Sequence, residues 1–157
     1  MAISYNDALL NVDGLSSLTA VDGYLSMNEN DSLTNVDGLS SLTSVFGGLQ
    51  ITNHPALLSL DGLENLSFAH YLQLYGGPLV GSLDGLSSLT TIGLRLEVGF
   101  ASIEDLDGLS SLTDAGDSIR IAANYSLCAS VIDDFIDGLR ALGWSGETTI
   151  YSNDDSC

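Results

Sequence analysis

The octapeptide VDGLSSLT stands at residues 12–19 and again, letter for letter, at residues 36–43. LDGLSSLT follows at 83–90 and 106–113, and a worn copy, LDGLENLS, fills 60–67. The Asp-Gly pairs that begin at Asp13, Asp37, Asp61, Asp84 and Asp107 are spaced by 24, 24, 23 and 23 residues. A fixed period of this length marks a stacked-repeat architecture. One repeat is too small to bury its own apolar face, so neighbours must stack to share a core.

Upstream of each Asp-Gly pair, apolar residues alternate before an asparagine, as in LSMNEN (25–30) and IRIAAN (119–124). Alternation over a few residues predicts a short strand with one buried face, here Leu25 with Met27, Leu49 with Ile51, Leu72 with Leu74, and Ile119 with Ile121. Leu33, Val36, Leu39, Leu42 and Val45, with their counterparts in later repeats, supply the remaining inward column. The fifth repeat departs from the pattern. Leu94 and Leu96 arrive one residue early, which predicts a bulge or register shift with Val98, Gly99 and Phe100 filling the gap. The expected fold is mainly β: a right-handed parallel β-solenoid of about six coils with a C-terminal capping helix. It forms one domain over 1–157, with five repeats over 1–117 and a sixth strand plus cap over 118–157.

The pattern LxLxxN followed by L/V-D-G-L-x-x-L resembles leucine-rich repeats, and more closely the receptor L-domain type found in growth-factor receptors and many bacterial extracellular proteins. The resemblance spans nearly the whole chain. It implies a non-enzymatic binding scaffold, and it names no ligand and no catalytic residue. Beyond Asn124 the stretch LCASVIDDFIDGLRALGW places Val131, Phe135, Leu139 and Leu142 on one side, with Ile132 and Ile136 alongside, and Asp133, Asp134 and Asp137 on the other, an amphipathic helix over about 129–142 that Gly143 ends. The cysteine, the LGWSG turn and the last residue look like the terminal cap of bacterial L-domain-like proteins, so that a Cys128–Cys157 link would pin the cap. The residues alone leave open a free thiol pair. A structural disulfide is favoured, since neither CxxC spacing nor a His/Cys conjunction supports metal or redox chemistry. At the other end, the first strand is expected to be cut mid-element, leaving either missing upstream repeats or an edge free to self-associate.

Twenty-one acidic residues face three arginines and no lysine, a formal charge of −18. Nucleic acid and anionic membranes need a basic patch and are excluded as partners. No apolar run is long enough to insert in a membrane, and MAISYNDALL lacks a signal peptide's basic end and apolar stretch, as expected of a mature or excised segment. A surface this acidic suits a saline, extracellular or cell-surface setting, or a cation-rich one.

Catalysis finds little purchase. His54 and His70 fall in no nucleophile motif and are expected on the surface or in turns. The aspartates that open each GLSSL turn are expected to cap it by accepting backbone N–H groups, in preference to forming a calcium ladder, because no calcium-binding repeat or EF-hand loop is present. No metal or cofactor is called for. Asn30, Asn65 and Asn124 begin glycosylation sequons, but Asn30 and Asn124 occupy the inward ladder position.

Two surfaces are candidates for the working face. The first is the outward side of the strands, where Tyr24, Gln50, Tyr71, Gln73, Tyr75, Arg95 and Arg120 vary from repeat to repeat while the scaffold hardly changes. This pattern suits recognition of a protein or a glycan. The second is the set of hydroxyl columns Ser16, Ser40, Ser87 and Ser110 with Thr19, Thr43, Thr90 and Thr113, whose regular spacing suits ordered water and ice. Glu64, Asn65 and Ser67 interrupt those columns in the third repeat. The sequence therefore reads as an extracellular binding or adhesion module acting through its sheet face, with ice binding or end-to-end assembly as the alternatives.

Overall fold

A computed structural model describes residues 1–76 and 82–157. Its strands are β1 (Ala2–Ser4), β2 (Ala20–Val21), β3 (Tyr24–Asn28), β4 (Ser44–Val45), β5 (Gly48–Thr52), β6 (Phe68–Tyr75), β7 (Thr91–Gly99), β8 (Ser118–Ala122) and β9 (Glu147–Tyr151), with one helix, α1 (Ala129–Ala141), near the C-terminus. Every pairing is parallel, in the order β1-β3-β5-β6-β7-β8-β9, and the short β2 and β4 extend the sheet at its entry side through β6. The protein is thus mainly β, a solenoid-like stack built on one parallel sheet.

Strand pairing carries the apolar alternation through the stack in register. Leu25, Leu49, Leu72, Leu96 and Ile119 form one inward row, and Met27, Ile51, Leu74, Val98 and Ile121 the next. All ten are buried, together with Leu33, Val36, Leu39, Leu42 and Val45, while Leu9, Leu15, Leu18 and Val21 of the first repeat are only partly buried. The fifth repeat does bulge, but earlier than its leucines suggest. The register slips between Ala69 and Tyr71, where β7 inserts an extra residue at Gly93–Leu94. Leu96 and Val98 are therefore the inward pair, and Leu94 is left outward and 40 % exposed. Two apolar residues spaced by two read equally well in either frame; cross-strand pairing selects one.

Each DGL triplet forms one turn of 3-10 helix. Its glycine recurs because stacked turns touch there. An added Cβ would lie 2.0 Å from the preceding repeat's carbonyl oxygen at Gly38 (Val12), Gly62 (Val36), Gly85 (Leu60) and Gly108 (Leu83). The aspartates do not cap these turns, contrary to the sequence expectation: no side-chain cap is made at any of the five. Capping comes from two residues upstream, where Asn11, Asn35, Ser59, Ser82 and Asp105 accept the Asp backbone N–H at 2.9–3.4 Å. All five Asp side chains point to solvent instead, where water screens their mutual repulsion.

At the far end of β1, β3 and β5 to β9 the chain leaves the sheet through a left-handed residue: Tyr5, Glu29, Asn53, Gly76, Phe100, Ala123 and Ser152. After Tyr5, Glu29, Phe100 and Ala123 the next residue's N–H points into the stack and meets a side-chain acceptor from the following repeat. Asn30 accepts from Asn6 (3.1 Å) and donates to the Ile3 carbonyl (2.8 Å), and Asn124 and Asn153 repeat the arrangement. His54 belongs to this ladder and is fully buried, correcting its expected surface placement. Its Nδ1 accepts the Asn30 N–H at 3.2 Å, and its Nε2 lies 3.0 Å from the Met27 carbonyl, so the imidazole spans the same two groups an asparagine would. His70 is half-buried on β6.

Helix α1 replaces a 3-10 turn in the last full repeat, sending Ile132, Ile136 and Leu139 into the core. The chain then returns as β9 beside β8, and Asp154 pairs with Leu127–Ala129 through backbone hydrogen bonds. Cys128 and Cys157 are disulfide-bonded.

Candidate functional site

The outward face of the sheet presents three columns. The first runs Tyr24, Gly48, Tyr71, Arg95, Ser118, Glu147; the second Ser26, Gln50, Gln73, Glu97, Arg120, Thr149; the third Asn28, Thr52, Tyr75, Gly99, Ala122, Tyr151. All seven residues expected on this face lie in these columns. Within the second, polar side chains hand hydrogen bonds along the stack in one direction. Ser26 Oγ donates to Gln50 (3.1 Å), Gln50 Nε2 to Gln73 (3.1 Å), and Gln73 Nε2 to the Glu97 carboxylate (3.0 Å).

Glu97 is the terminus of that chain, and the sequence reading missed it. Alternation from Leu96 turns position 97 outward beside Arg95, but only the shifted register sets it opposite Gln73, in the column of polar side chains. Its carboxylate is nearly buried, with a residue exposure of 5 %, and accepts from Tyr71 OH (3.1 Å), Gln73 and Arg95 Nη1 (3.1 Å). Arg95 Nε also donates to Ser118 (3.0 Å). A buried carboxylate is tolerated only when its lone pairs are filled, and here a cation, a phenol and an amide fill them. Burial, then the Glu97 charge, push the Tyr71 phenol well above the usual tyrosine range. Tyr75 is raised as well, by burial first, with Arg120 pulling the other way.

Beside this network sits a second cluster. The Arg120 guanidinium carbon lies 5.6 Å from the Tyr75 ring centre and 5.4 Å from that of Tyr151, and it donates to the Tyr151 hydroxyl. Tyr151, also unanticipated, becomes part of the face only because β9 adds to the sheet. The Tyr75 ring lies over Gly99, and the Tyr24 ring over Gly48, so each glycine provides a bare patch for a phenol from the preceding repeat. Tyr24 stands apart from both clusters and is 53 % exposed. Flanking the first column, Arg95, Ser118, Glu147, Asp114, Asp117 and Trp144 border an open concavity of about 730 Å³.

The hydroxyl columns lie elsewhere and are partly consumed by the scaffold. Thr43, Ser67, Thr90 and Thr113 each donate to the carbonyl of the preceding repeat's equivalent at 3.0–3.1 Å, and Ser41 donates to the Ser16 carbonyl at 2.7 Å. Of the three sequon asparagines, Asn30 and Asn124 are buried and Asn65 is exposed. Among the described residues no cluster of His, Cys, Asp and Glu is gathered that could hold a metal, and no helix is long and apolar enough to cross a membrane.

Fold and face together define a parallel-sheet repeat protein with a pre-ordered polar face. The chain belongs to the receptor L domain family, whose model matches residues 18–135. This is a family of non-enzymatic ligand-binding domains, typically extracellular, and the Cys128–Cys157 disulfide fits an oxidising compartment. No curated protein matches the chain.

Proposed function

We propose that this protein is an extracellular or cell-surface binding or adhesion module, a right-handed solenoid of about six coils that contacts a protein or glycan through the outward sheet face around Glu97 and Arg120. The observation that carries the reading is the hydrogen-bonded chain from Ser26 to Glu97. Stacking does not require these side chains to be ordered, since the inward rows already hold the repeats together. An ordered polar face lowers the entropic cost of recognition.

The test is a pull-down and glycan-array screen followed by substitution. Gln73→Ala and Tyr24→Ala should each weaken the captured partner by about 1 kcal/mol or more, as interface anchors do, while Ser41→Ala and Ser88→Ala should not. If the serine changes matter and the sheet-face changes are silent, the working surface is the repeated DGLSSLT turn itself. Ice binding loses support from the hydroxyl donors spent on backbone carbonyls, and thermal hysteresis by the purified protein would restore it. Assembly of copies end to end through the exposed apolar edge of the first repeat is checked by light scattering.

A further inference from the structure

Three arginines neutralise little of this molecule, and two are already committed. Arg95 is paired with Glu97 at 3.1 Å and Arg140 with Asp137 at 3.6 Å. Arg120 has no carboxylate partner among the described residues, in a chain with 21 acidic side chains. It is nonetheless held in place, between the rings of Tyr75 and Tyr151 and by the Tyr151 hydroxyl. One N–H of the guanidinium serves Tyr151; four remain, enough for a forked pair of hydrogen bonds to an oxyanion. The Tyr75 hydroxyl, in the same cluster, is the one buried side-chain polar atom among the described residues that lacks a hydrogen-bond partner.

Resting on the sheet-face reading, we infer that the Tyr75–Arg120–Tyr151 cluster is a subsite for a carboxylate-bearing saccharide, with the carboxylate on Arg120 and the sugar ring against the tyrosine faces. The surroundings favour a saccharide over an acidic protein segment. Protein interfaces centre on buried apolar anchors in well-packed pockets, and the concavity that adjoins this face is bordered mostly by polar side chains. What the face offers instead is flat phenol rings beside the Gln50 and Gln73 amides. Each amide spends one N–H in the chain and keeps another for a ligand hydroxyl. Phenol faces provide apolar contact area to a sugar's C–H groups while their hydroxyls stay polar. A molecule of net charge −18 repels polyanions, so the fitting ligand carries an isolated carboxylate and not a run of them.

The experiment uses the whole protein on an array of saccharides ending in a single uronate or sialate, each beside its carboxyl-reduced neutral counterpart, with acidic peptides as a further arm. Saturation-transfer NMR follows on a uronate disaccharide. Acid forms should bind about tenfold more tightly than their reduced counterparts, as a charge-assisted contact implies, and Arg120→Gln should erase that preference. Ser88→Ala is the control expected to preserve it. Equal binding of acid and reduced forms, a preference that survives Arg120→Gln, binding of acidic peptides only, or retention of no saccharide at all would each overturn the inference. Partner binding lost in Gln73→Ala but indifferent to Arg120 would overturn this subsite and keep the sheet face; indifference to both residues would remove both readings.

Discussion

Gly62 and Gly14 occupy the same place in the repeat, yet an added methyl at Gly62 would collide with the Val36 carbonyl while nothing lies within 4 Å of Gly14. Gly62→Ala should therefore destabilise the protein by about 2 kcal/mol or more through overpacking, and Gly14→Ala should be neutral or slightly stabilising, read from urea unfolding midpoints. His54 allows a second comparison at this scale. Leucine there strands the Asn30 N–H and the Met27 carbonyl, each worth about 1–3 kcal/mol when buried without a partner, whereas asparagine reaches both. His54→Leu should melt well below His54→Asn, which should stay close to the parent. The recurring glycine was legible from repetition alone. The role of His54 was hidden because its side chain is chemically unlike the asparagine it replaces, although its 24-residue separation from Asn30 carried the signal.

The bulge in β7 decides the character of the sheet face. It turns Leu94 to solvent and sets Glu97 opposite Gln73, where the carboxylate gathers Tyr71, Gln73 and Arg95. With the Tyr71 and Tyr75 phenols raised, folding holds their protons more tightly than the unfolded chain does. Stability from this source is complete below the ordinary tyrosine value of about 10 and is lost as pH rises above it, because the unfolded state releases those protons first. Glu97→Gln removes one cause of the elevation, so the fall in urea midpoint between about pH 9 and 11 should be shallower in that variant. A urea series across alkaline pH checks the sign, and an equally steep fall would show that Glu97 contributes nothing to it. The strands were legible from their alternation, and the helix from its apolar side with Gly143 behind it. The register between β6 and β7 was not, since a slip of one residue is settled only by which pairing buries Leu96 and Val98 against their neighbours.

At the scale of the molecule, stability is shared between adjacent repeats, so the last strand is held mainly from one side. The disulfide ties the segment after β9 back to the start of α1 across a sequence separation of 29, which is worth about 3–4 kcal/mol in the chain-entropy account. Cys128→Ser with Cys157→Ser should lower the melting temperature and speed amide exchange first in Glu147–Tyr151, leaving β5 and β6 protected; hydrogen exchange followed by mass spectrometry reads this directly. The sequence by itself determined the repeat, its period, the inward rows of leucine and the pairing open to its two cysteines, because each depends on local periodicity or on a count. Only the tertiary structure decided that Glu97 lies opposite Gln73, that Tyr151 joins Arg120, and that the turn aspartates point to water. Those facts depend on which residue of one repeat lies opposite which residue of the next, and one extra residue in a strand changes that pairing without disturbing the period.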